Sequence, residues 1–146
     1  MFTMNKYMSG IIAGFIATVV MTILLMLKSM MGLMPDLDII AMLASMMGDS
    51  LVLAWLAHFM IGSIGYGLAM AVVAGADRSK NFTLIGAVIG AAGWLMMMIA
   101  LMPMMGNRLF GLAMPSGIMI PIATLVLHLI FGVVLGKAYA KLVFKH

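Results

Sequence analysis

Long apolar runs and short polar breaks alternate along the whole chain. Four runs, at about 9–27, 51–73, 83–102 and 118–137, have the roughly 20 mostly apolar residues that a helix needs to cross a bilayer. With 66% hydrophobic and 8% charged residues, the chain lies far from soluble domains, in which about a quarter of the residues are charged. We therefore predict an all-α fold, an integral membrane four-helix bundle, as a single transmembrane domain over residues 1–146.

The connection 28–50 differs from an ordinary loop. It contains too many Leu, Ile and Met residues for a solvated segment. Asp36 and Asp38 follow a proline, and acidic side chains are favoured at the positive end of a helix, while Gly48 is a typical stop signal. We predict a short helix at about 37–47 that lies in the outer membrane interface or folds over the mouth of the bundle.

The positively charged residues favour one side of the membrane. Six of the eight Lys and Arg residues lie at the N-terminus, in the 74–82 loop or at the C-terminal end, and two lie in the 28–50 and 103–117 connections. Because Lys and Arg accumulate on the cytoplasmic side, we expect both termini in the cytoplasm. The net charge of +4 is then a topology signal, and nucleic acid is not an expected partner.

The two halves of the chain share a series of landmarks in the same order, which indicates an internal duplication with repeats at about 9–73 and 83–141. Each repeat contains two spans, so both copies have the same orientation and are related by an axis along the membrane normal. The paired landmarks are Gly10 and Gly14 with Gly86 and Gly90, the two MMG triplets, GLMP with GLAMP, and His58 and Gly62 with His128 and Gly132.

Small residues mark the helix faces that we expect to pack against protein, because they let helix backbones approach closely. Tyr66 stands where the other copy has Gly136, so a site on the axis between the copies would be asymmetric. The glycines assigned to helix packing are Gly10, Gly14, Gly86, Gly90, Gly132 and Gly136.

Two histidines lie inside predicted spans, where an ionisable residue raises the hypothesis of a functional site. His58 and His128 both fall about 10–15 Å below the outer end, at similar depths on symmetry-related helices. They could face each other across the axis. The simpler interpretation is that each hydrogen-bonds a carbonyl or a threonine hydroxyl nearby, for which Thr18, Thr22 and Thr124 are available.

The sharper alternative is a b-type haem with His58 and His128 as its axial ligands, which also makes these two residues the candidate metal ligands. Lys28, Arg108 and the indole of Trp55 are the best partners for its propionates. Under this interpretation, the missing side chains at Gly62 and Gly132, one turn after the histidines, leave room for the macrocycle.

Copper is a less favoured alternative. The chain has 21 methionines, whose soft thioethers suit Cu(I), but methionine is also a pliable apolar filler, and most of these residues must pack or contact lipid. Those at the outer connections are Met30, Met31, Met34, Met42, Met46, Met47, Met102, Met104, Met105 and Met114.

Catalysis finds little support in the sequence. All four acidic residues fall outside the spans, no Ser–His–Asp arrangement or phosphate-binding glycine loop is present, and there is no cysteine nucleophile. We therefore predict that the protein is not an enzyme. A transporter or channel would require oligomerisation, because four spans with hardly any internal charge cannot line a wide polar pathway.

The segments AGFIATVVMT, MGLMPDLDIIAML, WLAHFMIGSIGYG and TLVLHLIFGVVLG resemble a family of small bacterial four-span membrane proteins classed as a domain of unknown function. The resemblance covers nearly the whole chain and implies a location in the bacterial inner membrane. We predict an accessory or structural subunit that associates with itself or with a larger membrane complex. An electron-transfer module with one haem is the alternative.

Overall fold

The computed structural model describes residues 4–145, and in this part of the chain the structure is helical without strands. Four helices are long and apolar enough to cross a membrane, and one is short, so the prediction of an all-α fold is confirmed. The helices are α1 (Lys6–Met30), α2 (Ile39–Ser45), α3 (Leu51–Ala74), α4 (Phe82–Met104) and α5 (Met119–Val143).

Side-chain caps define where the first four helices begin. In each case the residue before the helix accepts a hydrogen bond from a free backbone N–H of the first turn. The capping residues are Asn5, Asp38, Ser50 and Asn81. Helix α5 runs past the predicted limit of its span at 137 to Val143, because Lys137 and Lys141 interrupt the apolar run but are good helix formers.

The predicted short helix of the first connection is present as α2, with Asp38 as its N-cap. Leu37, just before it, is fully buried in the smaller of two apolar cores, which we call the second core and which lies at one end of the bundle. That core includes Met98, Met102 and Met114, so several methionines of the outer connections serve packing. Whether α2 lies in the membrane interface stays a prediction.

Glycines bring the helices together in two pairs. Helix α1 packs on α3, where Gly10 lies against the backbone of Gly67 and Gly14 against that of Gly62. Helix α4 packs on α5, and a side chain at Gly86 would collide with backbone atoms of α5. Each pair therefore has its backbones in direct contact, as small residues allow in membrane bundles.

The two helix pairs meet along one side only. Helix α1 packs on α5. Helix α3 contacts α4 mainly through the segment Gly67–Ala74, at the end of the bundle near the chain termini. In an arrangement with a twofold axis these two interfaces would be equivalent, but one is closed and the other is open over most of its length. The duplication itself stays a prediction from the sequence.

Candidate functional site

The open interface between α3 and α4 forms a cleft of about 740 Å³ inside the bundle. This volume is in the range of about 300–1,000 Å³ that is usual for small-molecule sites. Ile39 and Leu43 of α2 line one end of the cleft, which we call the outer end, and Tyr66 and Phe131 line the opposite end, which we call the inner end. The cleft is therefore built from the whole bundle, including the short helix.

The cleft is long and almost entirely apolar. Its lining on α4 extends from Ile89 to Met104, which corresponds to about 22 Å of helix. No Lys, Arg, Asp or Glu is among the described residues that line it. This shape and chemistry suit an extended apolar chain better than a compact polar metabolite.

Both cleft-facing helices change their winding beside the cleft. Helix α3 contains a π-helical segment at Ile61–Tyr66, and α4 contains one at Met97–Leu101. Wider π turns occur preferentially at functional sites, where they redirect side chains out of the regular helical pattern. Neither segment is predictable from the apolar pattern of the chain.

His58 lines the cleft from α3 and is tied to a neighbouring helix. Its Nε2 lies 3.1 Å from the hydroxyl oxygen of Thr22 on α1. That hydroxyl donates to the carbonyl oxygen of Thr18 at 2.7 Å, so the histidine belongs to a short chain of hydrogen bonds. The ring of Trp55 lies edge-on to the imidazole, with 6.0 Å between the two ring centroids.

His128 lines the same cleft from α5 but bonds to its own helix. Its Nδ1 donates to the carbonyl oxygen of Thr124 at 2.8 Å, which leaves Nε2 as the outer atom of the ring. The indole of Trp94 supports this turn from α4, donating to the carbonyl of Pro121 and the hydroxyl of Thr124, each at 3.1 Å. The structure thus brings both predicted site histidines to one cleft.

The absent side chains of the glycines next to the histidines point at neighbouring helices, although Gly62 itself lines the cleft. A side chain at Gly62 would collide with Thr18, and one at Gly132 would collide with the backbone of Gly86. Gly90 lies against the carbonyl of His128 in the same way. The positions that side chains at Gly62 and Gly132 would take are therefore occupied by the neighbouring helices, and room for a macrocycle beside these glycines stays a prediction.

Two residues that the sequence did not mark as site residues shape the cleft. Gly65 lines it, and a methyl group at this position would meet no atom within 4 Å. Tyr66 extends across the inner end, with its hydroxyl against Gly93 and its ring 4.9 Å from that of Phe131. Tyr66 corresponds to Gly136 in the other half of the chain, and the expected asymmetry is that the tyrosine side chain closes the inner end of the cleft.

Residues 4–145 contain no cluster of three or more His, Cys, Asp or Glu side chains that could hold a metal ion. Of the methionines assigned to the outer connections, Met104 lines the cleft that contains both histidines. Met98 and Met102 are fully buried in the second core, whereas Met30 and Met31 are exposed. A copper site among them stays a prediction.

The outer end of the cleft is held by a contact between the two long connections. The carboxylate of Asp36 accepts hydrogen bonds from the backbone N–H of Ser116 at 2.9 Å and from its hydroxyl at 2.5 Å. These bonds hold the pKa of Asp36 below its ordinary value of 3.8. The nearby Lys28 folds back onto the carbonyls of Leu33 and Met34.

Replacing Asp36 by alanine should loosen α2 over the cleft. A hydrogen bond to a charged group contributes about 1.5–3 kcal/mol, so Asp36→Ala should speed hydrogen exchange in residues 37–47 about tenfold or more. Because the folded-state pKa is depressed, the contribution is complete above pH about 4 and is lost as the pH falls through the folded pKa. Asp49→Asn, which removes a charge from the same connection, should leave exchange unchanged, and equal protection in both variants would refute this role.

The family model for DUF6789, a family of unknown function, matches residues 4–145. The chain belongs to this family. No curated protein and no solved structure matches it. Membership in DUF6789 confirms the predicted match to a family of unknown function and assigns no activity, so function must be argued from the cleft.

Proposed function

We propose that this member of DUF6789 is a non-enzymatic accessory protein of the membrane that holds an apolar, chain-like molecule in the cleft between α3 and α4. The observation that supports this most directly is the long, apolar cleft of about 740 Å³, which has no charged residue among the described residues that line it. A protein that packed only for structural support would gain stability by closing this space, since empty apolar volume is costly.

The chemistry of the lining also favours binding over catalysis. The polar side chains that line the cleft are imidazoles and hydroxyls, namely those of Thr18, His58, Tyr66, Thr124 and His128. Both threonine hydroxyls donate to backbone carbonyls of their own helices, which keeps them from acting as nucleophiles. No carboxylate is available among the lining residues to orient or charge either imidazole.

Native mass spectrometry of the detergent-purified protein tests this proposal directly. The protein should retain about one organic-solvent-extractable molecule per chain, or regain one when incubated with a bacterial extract of polar and neutral lipids. Release should require more collisional energy than removal of surface detergent. A chain that stays at its apoprotein mass after incubation with the extract would overturn the proposal.

One haem is the second candidate, because both histidines line the same cleft. The hydrogen bond from His128 Nδ1 to a backbone carbonyl is the arrangement that usually fixes a metal-ligating histidine. His58, by contrast, would have to give up its bond to Thr22 to ligate through Nε2. Neither Lys28 nor Arg108 lines the cleft to hold a propionate.

A dithionite-reduced minus oxidised absorption spectrum separates the two candidates. A b-type band in protein from haem-supplied cells, lost in both His58→Ala and His128→Ala, would establish ligation. We expect a flat spectrum, with no stoichiometric iron in the same sample.

The proposal includes a location in the bacterial inner membrane with both termini in the cytoplasm. The chain has no cysteine, so single cysteines can be introduced without altering any other residue. A cysteine replacing Ser79 should react with a membrane-impermeant maleimide only after cells are opened, and one replacing Ser45 should react in intact cells. The reverse pattern would contradict this orientation.

A further inference from the structure

The hydrogen bonds that fix the two histidines also determine which ring nitrogen carries hydrogen. The carbonyl oxygen of Thr124 can only accept, so His128 carries its hydrogen on Nδ1 and its lone pair on Nε2. The hydroxyl of Thr22 gives its own hydrogen to Thr18, so it accepts from His58 Nε2, and the lone pair of this ring lies on Nδ1. Each neutral imidazole thus keeps one acceptor nitrogen.

These two acceptor nitrogens have no donor within residues 4–145. They are not sealed inside the packing either, because the buried unpaired polar side-chain atoms of the described chain are the hydroxyls of Ser9 and Ser63. The cleft threonines cannot serve them, since Thr18 and Thr124 donate elsewhere. An acceptor left without a donor in apolar surroundings is unfavourable, so a ligand that supplies one is favoured.

The charge of the lining restricts what that donor can be. With no acidic or basic residue along the cleft, a charged headgroup would have no counterion at a depth where charges are costly. A head with only ester or ketone oxygens would set acceptors against acceptors at the histidines. The hydroxyl of Tyr66 could donate, but it lies eight residues beyond His58, about 12 Å along the helix, at the inner end.

We infer that the cleft binds an amphiphile whose polar group is a neutral hydroxyl, and that this hydroxyl donates its hydrogen to His58 or His128 while the apolar chain fills the cleft. A ligand with two hydroxyls can satisfy both rings at once. The inference rests on the proposed function, because it names the chemical class of the molecule held there.

Two brominated probes test this inference, and only the first has a hydroxyl hydrogen to donate. The first is 2-bromo-1-undecanol, in which the bromine lies next to the carbon that carries the hydroxyl, and the second is its methyl ether, which keeps the oxygen, the bromine and the chain but cannot donate. Bromine quenches tryptophan fluorescence at short range, and Trp55 contacts His58 while Trp94 contacts the turn before His128. Titration in lipid nanodiscs separates saturable binding in the cleft from the linear quenching by bulk lipid.

The alcohol should bind about tenfold more tightly than the ether, as expected for the gain of one hydrogen bond. In the double variant His58→Leu and His128→Leu, the two probes should bind alike and the affinity for the ether should be unchanged. Equal binding of both probes to the wild-type protein, or an alcohol preference that survives in the double variant, would overturn the inference but leave the proposed function intact. Absence of saturable quenching by either probe would contradict both.

Discussion

Gly65→Phe should abolish retention of the ligand in the cleft without unfolding the protein. A methyl group at Gly65 meets no atom within 4 Å, and the residue lines the cleft, so the phenyl ring can enter the space that we assign to the ligand. Overlap between this ring and a bound chain should lower affinity more than tenfold, since 1.4 kcal/mol of steric cost already has that effect. Native mass spectrometry should therefore detect almost no retained molecule.

The matched control is Val72→Phe on the same helix. Val72 is 68% exposed and does not line the cleft, so the same ring there should contact lipid and leave binding intact. Helix content and the thermal midpoint should stay close to wild type in both variants, which shows that any lost binding reflects the occupied cleft. Undiminished retention by Gly65→Phe would mean that the molecule is bound elsewhere.

Gly86→Ala, by contrast, should lower the stability of the fold. A methyl group there would overlap the carbonyl oxygen of Gly132 and the backbone of Gly136, neither of which can move without separating α4 from α5. Overpacking of this kind costs about 1–3 kcal/mol, and contact with backbone favours the upper end of that range. Unfolding titrations in mild detergent, followed by tryptophan fluorescence, should show the loss.

The same substitution at Gly65 is the control for this experiment. Alanine is favoured over glycine within helices by about 0.5–1 kcal/mol, and nothing obstructs it at Gly65. Gly65→Ala should therefore be neutral or slightly stabilising, so that the two glycines differ in the sign of the effect. Similar stabilities for both variants would show that the close backbone contact at Gly86 is not essential.

Much of the fold could be predicted because the bilayer imposes simple rules on sequence. Apolar runs of sufficient length marked the four long helices, and the acidic residues after a proline marked α2. The ends were less predictable, as α5 shows, because helix formation continues through lysines that a hydropathy pattern excludes. Caps such as Asn81 reflect local hydrogen bonding, which hydropathy does not record.

The candidate site was only partly predictable. The two histidines were identifiable because polar residues are rare in spans, and the structure brings both to one cleft. The cleft itself was not, since it depends on α3 and α4 remaining apart while α1 and α5 close together. Two equivalent copies predict equal interfaces, whereas in the structure Tyr66 reaches from α3 to Gly93 of α4 at a position where the other copy has a glycine.

If the proposed ligand enters between α3 and α4, the separation of these helices determines which ligand concentration sets the occupancy of the cleft. A molecule entering between these two helices would come from the surrounding lipid, where it is already dissolved, and not from water. Half-saturation is then a mole fraction in the bilayer, and dilution of the cells or of the aqueous sample leaves occupancy unchanged. The occupancy of such a protein would depend on the composition of its own membrane. Adding inert lipid to a nanodisc would then lower occupancy as effectively as withdrawing ligand from the nanodisc.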